Sequence, residues 1–188
     1  MILPKEINSK ETKRLFWVLF GLTLLTLLGM QITGAPLKTE IASGGIITFE
    51  LVGTLAGSQG IIDSWQGPAL VWAGVNMGLD FLFLVLYGIT IALACLMIAD
   101  RKPANLAFLT VIGKWLAVGV IFAALLDVIE NVALIMLLTG SKSEFLPQLA
   151  RGVAIPKFGL VFLALLYVVS ASLIDRMNKY DRSKGTVT

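Results

Sequence analysis

The chain has 188 residues, of which 57% are hydrophobic and only 14% are charged, and its net charge is +3. A water-soluble domain has about a quarter charged residues, so much of this surface must face lipid. The basic residues lie in short runs beside apolar segments, which favours headgroup contact and topology control over nucleic-acid binding. The lack of histidine and the single cysteine, Cys95, exclude histidine-bound haem or zinc and an intramolecular disulfide.

The first apolar segment follows a basic N-terminal stretch that contains Lys5, Lys10, Lys13 and Arg14. Residues 15–34 are long enough to cross a membrane and end in a poor small-residue cleavage site. We therefore expect an uncleaved first span rather than a signal peptide.

The outer connection, residues 35–67, is polar and slightly acidic. Its segment from Ile46 to Leu51 looks extended. Thr54 can then cap a short amphipathic helix from Leu55 to Trp65. We expect this helix to lie on the bundle at headgroup depth, with Trp65 as its interfacial anchor.

Two long apolar stretches follow the connection. Pro68 opens a helix that can run to Ala99, with the second span at residues 76–99. The stretch from Leu106 to Leu138 contains the third span, residues 112–138, and is about 50 Å long as a helix at about 1.5 Å per residue. It exceeds one hydrocarbon core and must tilt, project or bend.

The last span, residues 157–175, follows a second outer connection from Gly140 to Pro156, and a basic tail, residues 176–188, looks frayed. Ten of the fifteen Lys and Arg residues lie in the N-terminal stretch, the Arg101-Lys102 turn and the tail. The positive-inside rule therefore predicts cytoplasmic termini for a protein integral to the cell (inner) membrane. The predicted fold is a single-domain, all-α integral membrane protein. It is a four-transmembrane-helix up-down bundle with a short extracytoplasmic amphipathic helix.

Two polar sets interrupt the apolar spans. Asn76, Asp80 and Tyr87 share one helical face of the second span, at spacings of four and seven residues. The third span carries its own set on one face, which comprises Asp127, Glu130 and Asn131. An ionised acid at mid-membrane costs roughly 2.5–3.5 kcal/mol on insertion scales. These acids must therefore face the bundle interior or a wet cavity, be partnered, or hold protons.

The opposite directions of the second and third spans place both sets in the outer half of the bundle, at similar depth. Lys157 begins the fourth span on the same side, and Arg151 lies just before it. Glu50 belongs to the connection that can fold over this region. The sequence therefore predicts a polar, acidic cluster that opens toward the non-cytoplasmic face.

Several roles compete for this cluster. In a purely structural role, Asp80 or Glu130 would form an ion pair with Lys157 or Arg151, and this pair would fix the register of the helices. A binding or accessory subunit would hold a lipid or lipid-like ligand, with Arg151 and Lys157 meeting a phosphate. A membrane enzyme would use Asp80, Asp127 or Glu130 as the acid–base group on an isoprenoid or lipid substrate. An oligomeric proton or cation transporter is the third functional alternative.

The partners predicted are membrane lipids, with a homo-oligomer or a larger membrane complex left open. No cofactor is predicted. The all-oxygen set of Asp80, Asp127, Glu130 and Asn131 suits Mg²⁺ or Ca²⁺ only weakly, because no spacing matches an established metal loop.

Three segments resemble parts of small four-span bacterial integral membrane proteins, namely Thr48 to Leu51, Asp80 to Tyr87 and Leu126 to Asn131. The resemblance covers roughly residues 15–175 and implies no particular activity. It does not extend to the characteristic residues of sterol-isomerase-type bundles or of quinone-reducing thiol bundles.

Overall fold

A computed structural model describes residues 7–102 and 106–185, with residues 176–185 described by their backbone alone. Within these ranges the chain forms helices and connections and has no strand. Four helices are long and apolar enough to cross a membrane: α1 (Lys10–Gly34), α4 (Pro68–Ala99), α5 (Ala107–Leu138) and α6 (Phe145–Gly185). The prediction of an all-helical chain with four helices of spanning length is confirmed.

The long connection holds two short helices, α2 (Ile46–Leu51) and α3 (Leu55–Ser64), after a 3₁₀ turn at Ala35–Leu37. The predicted cap of α3 is present, because the Thr54 hydroxyl accepts a hydrogen bond from the Gly57 amide at 3.2 Å. Pro68 begins α4, as predicted, at a position where its missing N–H costs no helical hydrogen bond.

The structure corrects two predictions for the connection. Ile46 to Leu51 is helical rather than extended. Trp65 is 1% exposed and is not an interfacial anchor. Its ring packs edge-on against Phe49 with 5.3 Å between centroids, and its indole N–H donates to the carbonyl of Leu37 at 2.8 Å. Burial of Phe49 against this tryptophan requires the side-chain spacing of a helix in α2.

The fourth long helix starts earlier and ends later than the sequence suggests. Pro156 lies inside α6, so the second connection is only residues 139–144 instead of Gly140 to Pro156. A proline within a membrane helix removes one backbone donor, and neighbouring helices make this tolerable. The helix continues to Gly185 through most of the tail that looked frayed. Lys5, Pro103 and residues 186–188 lie outside the described residues.

Helix α4 is central to the bundle: it packs against α1 and α5, and α6 packs against α5 and α4. Small side chains let these helices approach closely; an added methyl group on Gly88, for example, would press on Ala124. Cys95 is fully buried here as a packing residue. Large apolar side chains cover the outside, as a lipid-facing surface requires, and examples are Leu25, Ile32, Phe122, Phe162 and Val169.

The two ends of the bundle differ in their polar contacts. The terminal end is closed by an ion pair between Lys102 and Asp175 and by a hydrogen bond from Asn8 to Asp100 at 2.8 Å. The opposite end, which we call the connection end, is covered by residues 35–67, including α2 and α3. The polar residues predicted for a site lie on the connection-end half.

Candidate functional site

A cavity of about 700 Å³, called the groove below, lies between α1 and α6. Both helices contact α4, which forms the floor, and they make little contact with each other along the described chain. Helix α2 lies over the connection end of the groove, and its side chains contribute to the lining. The volume is within the usual range for small-molecule and cofactor sites.

The lining of the groove changes from polar to apolar along its length. The polar and charged side chains of the wall are gathered at the connection end, where they lie among apolar neighbours such as Met30, Ile46 and Phe158; they are Glu50, Asn76, Asp80, Asp127 and Lys157. Toward the terminal end the wall is almost entirely apolar, with Phe20, Leu24, Leu27, Phe83, Ile91, Val161 and Leu165. The wall on α4 extends from Asn76 to Ile91, a distance of about 22 Å at about 1.5 Å per helical residue.

Lys157 is the buried cation at the centre of the polar end. Its ammonium donates to Asp127 Oδ1 at 2.9 Å and lies 2.7 Å from Glu130 Oε2, with all three side chains at most 6% exposed. The predicted pairing of Glu130 with Lys157 is therefore present, and Asp127 shares it. The hydroxyl of Tyr87 donates to the other oxygen of Asp127 at 2.9 Å. Helices α4, α5 and α6 are joined through this one carboxylate.

Asp80 lies on the groove wall without a cationic partner among the described side chains. Its only hydrogen-bond donor in the described part of the chain is the amide of Asn131, at 2.9 Å from Oδ2. A neutral amide compensates a buried carboxylate less well than a lysine does. Asp80 is thus the least compensated acid of α4 and α5.

Asn76 joins α4 directly to α1. Its amide nitrogen donates to the Met30 carbonyl and to the Thr33 hydroxyl, both at 2.8 Å. Asn76 also lines the groove, and its carbonyl oxygen is buried and accepts no hydrogen bond from any described residue. One acceptor at the polar end is therefore left open.

Glu50 reaches the polar end from α2 and is 6% exposed. Burial raises the pKa of Glu50 well above its ordinary value of 4.5; the charge of Lys157 opposes this shift, and the charges of Glu130, Asp80 and Asp127 add to it. Its Oε2 has no hydrogen-bond partner among the described residues. Glu50 therefore favours the protonated form more than an exposed carboxyl does.

We expect replacement of Glu50 by glutamine to reduce the loss of stability as the pH rises. A carboxyl whose pKa is higher in the folded state binds more protons there, so its contribution to folding decreases once the pH passes 4.5. The measurement is thermal unfolding in detergent between about pH 5 and pH 8. The exposed Glu40→Gln serves as the control, and equal pH slopes in both variants would contradict the prediction.

Arg151 does not join the site. It is exposed, and its side chain lies against Gly53 on the outside of the bundle. Because α6 begins at Phe145, six helical residues separate Arg151 from Lys157, a rotation of roughly 240° that places them on different faces. The predicted phosphate contact by Arg151 and Lys157 together is therefore not formed.

The contribution of α1 to the groove was not predicted from the sequence. Thr33 holds Asn76, and the Thr23 hydroxyl lies 3.1 Å from that of Thr90 across the groove floor. Gln31 and Lys38 also line the polar end. Thr23, Thr26 and Thr33 recur at spacings of three and seven residues and therefore share one helical face. This spacing is the sequence pattern that could have indicated the contribution of α1.

No group of three or more carboxylate or thiol side chains in the described ranges is arranged to hold a metal ion. The ammonium of Lys157 lies between Asp127 and Glu130, where a cation would bind. Comparison with protein-family models, with curated proteins and with solved structures finds no match to this chain. The function is therefore argued from the chemistry of the groove.

Proposed function

We propose that this protein is a membrane-embedded binding or accessory protein that holds a lipid-like amphiphile in the groove. The observation that carries the proposal is the change along one cavity from buried charged groups to an apolar wall. An amphiphile has the same division between a polar head and a hydrocarbon tail. The cavity lies between helices long and apolar enough to cross a membrane, so that a lipid can enter sideways.

The length of the groove favours a molecule with a slender hydrocarbon chain. The apolar part of the wall, from Phe83 to Ile91 on α4, is about 12 Å long at about 1.5 Å per helical residue and takes part of a fatty or isoprenoid chain in extended form. Its polar end provides hydrogen-bond acceptors within the protein, where water is scarce. Such a site binds a lipid more specifically than the outer surface of the bundle does.

The same proposal includes an orientation. Most basic residues belong to the terminal end, and by the positive-inside rule this end would lie on the cytoplasmic side of a bacterial inner membrane. The polar end of the groove then lies in the outer half of the bilayer. The head of the ligand would be near the outer headgroup layer and its tail near the membrane centre.

A second candidate is an enzyme that acts on such a ligand, and the position of Asp80 favours it. This carboxylate reaches the groove and lacks a cationic partner in the part of the chain described, so it can accept a proton from a bound substrate. Proton or cation transport has less support. The described carboxylates on the groove wall all lie in the connection-end half, and no titratable group continues their line beyond Tyr87.

A tryptophan placed in the groove tests the proposal. Leu24 lines the groove, whereas its neighbour Leu25 is 66% exposed and does not. We expect Leu24→Trp to reduce the amount of co-purified amphiphile by about tenfold or more, equivalent to a binding loss of about 1.4 kcal/mol. Leu25→Trp adds the same ring outside the groove and should leave the amount unchanged. The measurement is native mass spectrometry of protein released from mild detergent.

Loss of the same ligand from both variants would contradict binding in the groove, as would its full retention in both. The second candidate is examined with the same preparation. If the retained molecule differs chemically between wild type and Asp80→Asn, the carboxylate takes part in a reaction; if it is identical in both, binding alone is supported.

A further inference from the structure

We propose that the head of the bound amphiphile is cationic, an ammonium-type nitrogen that lies between Glu50, Asn76 and Asp80. This inference rests on the proposed function, because it concerns the ligand of the same groove. It names the ligand class that the polar end would select from among the many amphiphiles of a membrane.

The first support is an excess of hydrogen-bond acceptors. Glu50 and Asn76 line the groove, and one buried oxygen of each, Oε2 and Oδ1, has no hydrogen-bond partner in the described part of the chain. Leaving a buried polar atom unpaired is costly, and a charged one more so. A head that brings N–H donors would satisfy both atoms, whereas a head that brings only acceptors would satisfy neither.

The donors of the cluster are already engaged elsewhere. Lys157 is held by Asp127 and Glu130, and the Tyr87 hydroxyl donates to Asp127. The Asn131 amide donates to Asp80. Among the described residues that line the polar end, no buried amide, hydroxyl or ammonium donor is therefore free to receive a phosphate or carboxylate head.

The second support is the excess of negative charge. Among the described residues, four buried acids surround the buried Lys157. Glu50 favours the protonated form, and the other three, Asp80, Asp127 and Glu130, outnumber the single lysine. Lys38 also lines the groove, but it is exposed at its edge. A charge inside a poorly polarisable site interacts more strongly than in water, so a cation is attracted and an anion repelled.

Neutral heads fit less well. A hydroxyl donates a single hydrogen bond and leaves the charge excess in place, whereas an ammonium donates up to three and balances one negative charge. With the ammonium beside it, Glu50 would lose its proton and pair with the nitrogen as a carboxylate. The hydrocarbon tail would follow α4 toward Phe83 and Ile91.

The test compares three single-chain probes that differ only in the head: hexadecylamine, hexadecanol and hexadecyl phosphate. Each is titrated into the full chain in a mild non-ionic detergent, and binding is followed by the shift in Tm and by native mass spectrometry. We expect the amine to bind about tenfold or more tightly than the alcohol, and the phosphate to bind most weakly. This comparison needs no variant, so it does not depend on the folding of one.

Two isosteric substitutions then locate the head. Glu50→Gln and Asp80→Asn should each reduce the preference for the amine over the alcohol by about tenfold, while binding of the alcohol changes little. Glu40→Gln and Asp63→Asn remove the same charges from exposed positions of the connection and should leave the preference unchanged.

The outcomes separate this inference from the function on which it rests. If the alcohol or the phosphate binds wild type as tightly as the amine, the cationic head is excluded, while the groove remains a lipid site. A preference that survives both Glu50→Gln and Asp80→Asn also excludes the proposed position of the head. If none of the three probes binds and no amphiphile co-purifies, the proposed function fails together with the inference.

Discussion

Replacing Lys157 by methionine is expected to lower the free energy of unfolding by about 3–5 kcal/mol. Methionine keeps the length of the side chain but leaves Asp127 and Glu130 buried without their cation. The loss therefore reflects two uncompensated charges more than lost packing. Reversible unfolding in mixed micelles of a mild detergent and dodecyl sulfate measures it, with tryptophan fluorescence as the readout.

The control for this prediction is Lys142→Met, which removes a lysine from an exposed position and should change stability by less than about 0.5 kcal/mol. A compensated variant adds Asp127→Asn and Glu130→Gln to Lys157→Met and should recover most of the loss, because no unpaired charge remains. If the compensated variant is as unstable as the single one, the cost comes from packing and the explanation by charge is wrong.

Replacing Trp65 by alanine is expected to cost about 3–5 kcal/mol, as for other fully buried large aromatic residues. The ring fills the core below α2 and α3 and packs against Phe49, and its N–H holds the Leu37 carbonyl. Because α2 carries Glu50, this loss also removes the cover of the groove. The same unfolding assay gives the stability, and binding of the retained ligand should weaken in parallel.

Two further variants separate the contributions of Trp65. Trp65→Phe keeps most of the packing and loses the hydrogen bond to Leu37, so about 1 kcal/mol of the effect should remain. Trp115 is 72% exposed, and Trp115→Ala should cost less than about 0.5 kcal/mol. An equal loss in Trp65→Ala and Trp115→Ala would mean that Trp65 acts as the surface anchor that the sequence alone suggested.

The long helices could be predicted because a membrane requires apolar stretches of a certain length and because helix starts have clear chemistry. Pro68 and Thr54 begin their helices as predicted. The acids of α5 could be assigned to the interior because lipid penalises charge, and the partner Lys157 could be named because few cations lie nearby in the chain.

Predictions of secondary structure from the local sequence were wrong where tertiary contacts outweigh local preferences. The β-branched and aromatic residues from Ile46 to Phe49 favour an extended segment, but contact with Trp65 selects a helix. Pro156 usually marks a helix start, and here it lies inside α6 because the first turns of that helix pack on α2 and α5.

The groove itself could not be predicted from spacing. Periodicity shows which residues share a face of one helix, but not which two helices leave a gap between them. Gln31 and Thr23 of α1 became wall residues only because α1 packs on α4 and stands away from α6. The same limit explains why Arg151 was assigned to the site: its face on α6 depends on where that helix begins.

The short connection between α5 and α6 has a consequence for biosynthesis. Asp127 and Glu130 leave the ribosome first, and Lys157 follows Glu130 by 27 residues, or about 1–5 s at about 5–20 residues per second. During that interval α5 carries two acids that the hydrocarbon interior disfavours. Only residues 139–144 separate the two helices, so α6 can fold back as soon as it is made. We therefore expect α5 and α6 to enter the membrane as a pair joined by the contacts of Lys157 with Asp127 and Glu130.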